Sequence, residues 1–118
     1  MLVWRKDDEL HCFLNVCAHR YSQLTSKTCG HADRLKCEYH GWQFDKVGNV
    51  CHIPDAKTFR PLKPGMLGLT PYHADRCGEL IFINLADKPV SLKNFLGPAF
   101  AKYEQLFTAE MHTAIVFE

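Results

Sequence analysis

The chain has 118 residues, 47% of them hydrophobic and 23% charged, with a formal net charge of +1, the size and balance of one soluble globular domain. A charge so near neutral gives no footprint for nucleic acid or for an anionic membrane surface, and no apolar run approaches the roughly 20 residues that span a bilayer. The opening Met1-Leu2-Val3-Trp4-Arg5-Lys6 carries no apolar signal region, so a cytoplasmic location is expected.

Residues 2–5 and 10–16 flank the polar stretch Lys6-Asp7-Asp8-Glu9 and predict a β-hairpin. Trp42-Gln43-Phe44 alternates apolar and polar, Lys46-Val47-Gly48-Asn49 reads as a turn, and residues 50–53 read as the returning strand. Residues 55–66 hold Pro61, Pro64 and Gly65 and read as a loop. Residues 79–85 are rich in β-branched and aromatic side chains and form the strongest strand signal. Leu92, Phe95 and Leu96 recur at helical spacing, as do Tyr103, Leu106 and Phe107, with Gly97-Pro98 between them, so two short helices are expected rather than one. Ile115-Val116-Phe117 reads as the start of a further strand. There is no internal repeat. Both ends read as abrupt, the expectation for a fragment or a truncated reading frame. The composition shift near Val90 divides the chain into residues 1–90, mostly β, and a helical tail over 91–118.

Six cysteines (Cys12, Cys17, Cys29, Cys37, Cys51, Cys77) accompany seven histidines. An even count can frame disulfides in a secreted chain, but a reducing compartment keeps thiols free, and Cys with His then points to metal. Cys17-Ala18-His19 follows the apolar run Phe13-Leu14-Asn15-Val16, and Cys37-Glu38-Tyr39-His40-Gly41-Trp42 comes after a spacer of 17 residues, 20–36. Each pair sits on a short loop after a strand, so two loops can enclose a metal cluster between them, thiolates on one iron and imidazoles on the other. Four thiolates keep such a cluster near about −400 mV, and two imidazoles in their place raise it to between about −150 and +300 mV. The outer imidazole nitrogen can release a proton or meet an acceptor's carboxylate, which makes it a natural electron exit. A Cys₂His₂ zinc site uses the same residue types, although structural zinc sites usually open on a Cys-x₂₋₄-Cys pair. Cys29-Gly30-His31 repeats the pattern only five residues before Cys37 (32–36), too close for two opposed loops, and reads as a loop thiol and a solvated histidine. Cys51-His52 and His11-Cys12 each read as a core cysteine beside a surface histidine, since neighbours on a strand face opposite ways, and Cys77 reads as a turn or core residue. Arg20, Tyr39 and Trp42 are candidates to surround the four ligands; packing and solvation are their plain alternatives.

The run Asn15-Val16-Cys17-Ala18-His19-Arg20, then Cys37-Glu38-Tyr39-His40-Gly41-Trp42-Gln43-Phe44-Asp45, Gly48 and Ile53-Pro54, resembles the Rieske domain of ring-hydroxylating oxygenase α subunits. Gly78-Glu79-Leu80-Ile81-Phe82-Ile83-Asn84-Leu85 resembles that family's closing strand. The resemblance implies a mostly β fold of small antiparallel sheets with two cluster-binding loops, and a [2Fe–2S] cluster on Cys17, His19, Cys37 and His40. It implies one-electron transfer from a reductase or ferredoxin toward a mononuclear non-haem Fe(II), held in a neighbouring subunit of a trimer, that activates O₂. That iron belongs to a catalytic domain expected beyond residue 118; His52, His73 and His112 do not form its ligand set. A free-standing Rieske ferredoxin and a zinc-stabilised interaction module are the rival readings. Tyr21 stands where family members often have Gly, and Glu38 where they often have Pro. Trp42 and Phe44 stand where the high-potential respiratory proteins place hydroxyls near the cluster sulfurs, so a midpoint near about −150 mV is expected.

Overall fold

The computed structural model describes residues 1–59, 62 and 65–108. It is mostly β, with small antiparallel sheets and two short helices late in the chain. Two compact units divide it, Met1–Tyr72 and His73–Glu118.

In the first unit, β1 (Leu2–Lys6) and β2 (Glu9–Phe13) pair antiparallel from Leu2↔Phe13 to Lys6↔Glu9. Asp7 and Asp8 join them with φ of 52° and 62°, the doubly left-handed backbone of a type I′ turn, whose twist matches the strands and which Asp tolerates. β2 stops at Phe13, short of the predicted Val16. There the amide of Leu14 donates to Thr70 O (2.8 Å) and that of Val16 turns back to Leu14 O (2.7 Å), steering the chain into the first Cys/His loop. On its other edge β2 meets Pro71 and Tyr72, so it is covered on both sides.

A second sheet runs in the order β3 (Leu35–Lys36), β4 (Gln43–Phe44), β5 (Val50–His52), all antiparallel. The 46–49 turn forms as predicted. The Asp45 carboxylate accepts from Val47 N (3.0 Å) and Asn49 N (2.9 Å). Gly48 takes φ 88°, and a Cβ added there would lie 2.7 Å from Phe13 Cε1. Both facts forbid a side chain. Gly48→Ala is expected to cost about 2–3 kcal/mol, from left-handed strain plus overpacking, read as a drop in the urea midpoint at unchanged slope.

The core of this unit is built from Trp4, Phe13, Leu24, Trp42, Phe44 and Leu69, and it also contains the two motif cysteines, Cys17 and Cys37. The segment between the two loops is pinned over β1 by Trp4 Nε1 donating to Ala32 O (3.2 Å) and by Lys6 against Asp33 (3.0 Å). The predicted 55–66 loop contains a short 3-10 turn over Ala56–Phe59; Pro61 and Pro64 lie outside the described residues.

In the second unit, β6 (Pro71–Cys77, its first two residues belonging to the first unit) pairs with β7 (Leu80–Asn84) from His73↔Asn84 to Cys77↔Leu80. The predicted 79–85 strand is there as β7. The two predicted helices are α1 (Leu92–Leu96) and α2 (Ala99–Leu106). Ser91 Oγ caps α1 by accepting from Asn94 N (3.3 Å), and Gly97 at φ 51° ends it. The end of α2 meets the β6–β7 turn, where Glu79 N donates to Phe107 O (2.7 Å). Cys77 is buried and its thiol donates to Phe100 O (3.2 Å), in keeping with its core reading. Ile115-Val116-Phe117 and His112 lie outside the described residues. No helix among the described residues is long and apolar enough to cross a membrane.

Candidate metal centre

Two loops with the same backbone frame carry the motif. In the first, Cys17 N donates to Ser22 O (2.8 Å) and Tyr21 N donates back to Cys17 O (3.0 Å). In the second, Cys37 N donates to Trp42 O (2.8 Å) and Gly41 N to Cys37 O (2.9 Å). Each frame therefore closes at the fourth and fifth residues after its cysteine, and in each the fourth residue is left-handed, Tyr21 at φ 56° and Gly41 at φ 74°. Such a closed loop turns its inner amides toward the thiol. The amides of His19 and Arg20 favour the Cys17 thiolate, and those of Tyr39 and His40 the Cys37 thiolate. Asn15 braces the first loop: its side chain donates to Thr25 O (2.9 Å) and accepts from Thr25 N (3.2 Å).

Both thiols are interior, with Cys17 1% and Cys37 0% exposed. Burial pushes the Cys17 thiol up to about 11, and the neighbouring Cys37 adds to the rise. Burial alone would raise Cys37 as well. The amides of Tyr39 and His40, with the Ser22 hydroxyl and the Cys17 thiol, outweigh it and bring Cys37 below the ordinary thiol value. The imidazoles stand at the rim, His19 half-buried and His40 exposed, with ring centroids 4.7 Å apart and planes at 70°. Partial burial, then the charges of His40 and Arg20, lower the His19 pKa. Trp42 lies parallel to His19 at 4.6 Å (3°), and Tyr39 lies against His40 at 3.9 Å (50°). The four sequence-predicted ligand candidates thus fall into two pairs, Cys17 with Cys37 in the core and His19 with His40 at the rim. Among the described residues, no three or more His, Cys, Asp or Glu side chains converge as around a single metal ion. A paired arrangement is what a two-iron cluster with two protein ligands per iron requires.

A family profile described as the Rieske [2Fe-2S] domain matches residues 1–73. The chain belongs to the Rieske [2Fe–2S] domain family. Membership implies a [2Fe–2S] cluster. This Rieske domain is 30% identical over 113 residues to the α subunit of 2-aminobenzenesulfonate 2,3-dioxygenase from an Alcaligenes species, covering 93% of this chain and 29% of that protein. It is 35% identical over 101 residues to the biphenyl 2,3-dioxygenase α subunit of Rhodococcus jostii, covering 84% of this chain and 22% of that one. Among solved structures it is similar to naphthalene 1,2-dioxygenase (TM-score 0.72, 32% identity, 82% of this chain and 23% of that). It is also similar to a quaternary ammonium Rieske monooxygenase (TM-score 0.74, 26% identity, 85% and 28%). The 118 residues therefore span less than a third of the length of these relatives.

The other chemistry-bearing residues of the Rieske domain fall into place around this centre. Cys29 and His31 are exposed on the connecting segment, in keeping with a loop thiol and a solvated histidine. Cys51 is exposed, not the core cysteine that strand alternation suggested: β5 lies at the edge of its sheet. His11 is half-buried rather than a surface histidine, because β2 is paired on both edges and its ring lies beside those of Trp4 and Phe13 (6.2 and 6.4 Å). Trp42 is 2% exposed and is both core packing and the support of His19. Tyr39 is exposed. Arg20 is exposed too; its amide serves Cys17 and its charge bears on His19. Sequence reasoning missed Ser22, whose Oγ lies 3.7 Å from Cys37 Sγ; no local pattern marks a contact to a residue 15 positions on.

Tyr21 keeps the left-handed backbone that the frame demands while carrying a side chain that disfavours it. Tyr21→Gly is expected to stabilise the fold by about 0.5–1 kcal/mol, the relief of strain partly offset by a more flexible unfolded chain. A urea titration checks it, and a loss of stability would show that the exposed Tyr21 ring makes contacts worth more than the strain.

Proposed function

We propose that Cys17, His19, Cys37 and His40 hold a [2Fe–2S] cluster, the two thiolates on one iron and the two imidazoles on the other, and that the chain relays single electrons in a Rieske oxygenase system. The observation that carries this reading is the pair of matching loops, which set two thiols inside the core and two imidazoles at its rim. The donor set fits: the thiolates sit where backbone amides can balance their charge, and the imidazoles where their outer edges can reach solvent or a partner. When bound, such a cluster supplies a one-electron couple between about −150 and +300 mV.

The protein's own residues then divide the work. The loop amides and the core exclude water from the sulfurs. Trp42 fixes the plane of the His19 ring. Exposed His40 offers its outer nitrogen as the site where a proton is held or released and where an acceptor can dock. Residues 1–90 form the cluster domain in this reading, and 91–118 a helical linker toward a catalytic domain. The electron donor is a reductase or ferredoxin, and the acceptor a mononuclear non-haem iron in a catalytic domain, in a neighbouring subunit of a trimer, all within the cytoplasm. Helices α1 and α2 beyond β7 favour this over a free-standing ferredoxin, which can end soon after its last strand. The match to the Rieske [2Fe–2S] family favours two irons over a single zinc.

The test is electron paramagnetic resonance of the dithionite-reduced protein, with iron counted on the same sample. A rhombic signal of low average g and about two irons per chain is expected. A silent spectrum with bound zinc would overturn the reading.

A further inference from the structure

We infer that Ser22 tunes the redox poise of this centre, its hydroxyl donating a hydrogen bond to the sulfur of Cys37. The inference rests on the cluster assignment above. Ser22 ties both loops, through its backbone and its side chain. Its carbonyl accepts from Cys17 N at 2.8 Å, closing its own loop, and its Oγ reaches across to Cys37 Sγ at 3.7 Å. The left-handed Tyr21 before it (φ 56°) makes this possible by turning the chain back over the opposite loop.

Between a free thiol and a hydroxyl either atom can donate. A cysteine sulfur bound to iron carries no proton, so the hydroxyl must then be the donor. Cys37 is 0% exposed, so water does not compete for its sulfur. Reduction adds one negative charge to the centre, and part of it resides on the sulfurs. A donor at a sulfur therefore stabilises the reduced form more than the oxidised form and raises the potential. Phe44 and Trp42, both buried, carry no hydroxyl, so Ser22 supplies from the first loop a hydroxyl that these two positions do not. It acts through Cys37 and is not itself a ligand.

The experiment compares wild type, Ser22→Ala and Ser22→Thr as the full 118-residue chain. Each is assayed for iron and for the rhombic signal, then titrated for its midpoint, and the iron–cysteine stretching bands are recorded in H₂O and D₂O. Ser22→Ala is expected to keep its iron and signal. Its midpoint falls by the equivalent of about a tenfold change in the one-electron equilibrium, about 59 mV, and the deuterium shift of its bands becomes smaller, the loop amides alone remaining. Ser22→Thr restores both. An Ala variant with full iron and an unchanged midpoint overturns this inference and leaves the cluster assignment standing. Should the Ala variant fail to assemble, Ser22→Gly takes its place: a lowered midpoint with full iron supports the inference, and an unchanged midpoint overturns it. A wild-type chain without iron overturns the assignment and the inference together.

Discussion

If Cys37 is a cluster ligand as proposed, Cys37→Ala is expected to empty the centre, taking iron from about two per chain to none and abolishing the rhombic signal of the reduced protein. Cys37 is 0% exposed and lies at the start of the second loop. Two hydrogen bonds of that loop run through its backbone, to Trp42 O and from Gly41 N, and alanine preserves both. The lesion is thus confined to one ligand and a void the size of a sulfur, which costs about 1 kcal/mol. Circular dichroism should find the fold intact while iron is lost. Cys29→Ala and Cys51→Ala are the controls: both side chains are exposed, and both variants should keep full iron. A Cys37→Ala chain that retains about two irons would remove this cysteine from the ligand set and with it the pairing of the two loops.

The second large effect is on stability. Trp42→Ala is expected to destabilise the metal-free chain by about 3–5 kcal/mol, the usual range for a buried Trp. Trp42 is among the largest fully enclosed side chains, 2% exposed, and its carbonyl closes the second loop. A domain of this size has only about 5–15 kcal/mol in hand, so the variant stands near the edge of folding. Its ring also supports His19 at 4.6 Å, so iron loading should fall with it. Trp42→Phe refills most of the space and should recover most of the stability and part of the loading. Urea unfolding followed by far-UV circular dichroism measures the first effect. A loss below about 1 kcal/mol would mean that the core closes over the gap, against the behaviour of well-packed interiors.

Much of this protein is legible locally. Asp7-Asp8 marks the hairpin because these residues tolerate left-handed backbone, and the structure places both there. Gly48 marks the second turn for the same reason, and Gly97-Pro98 divides the helices as read. The relation of residues 15–54 to Rieske domains is carried by the order and spacing of Cys17, His19, Cys37 and His40 and by the glycine that follows, and the profile match over residues 1–73 bears out the family.

Other features are invisible without the fold. β6 begins with Pro71 and carries Ala74 and Asp75, residues that strands disfavour, and it is a strand because β2 and β7 offer it backbone partners. β3 is two residues long, below the length at which alternation means anything. Cys51 and His11 were misplaced because alternation says which residues oppose one another, whereas an edge or a central position decides whether either face is covered. Composition, turn chemistry and motif spacing act between residues close in the chain, and they determined the family, the hairpins and the four candidate ligands. Pairing partners, burial and the reach of Ser22 to Cys37 join residues far apart in sequence, and only the tertiary structure decided them.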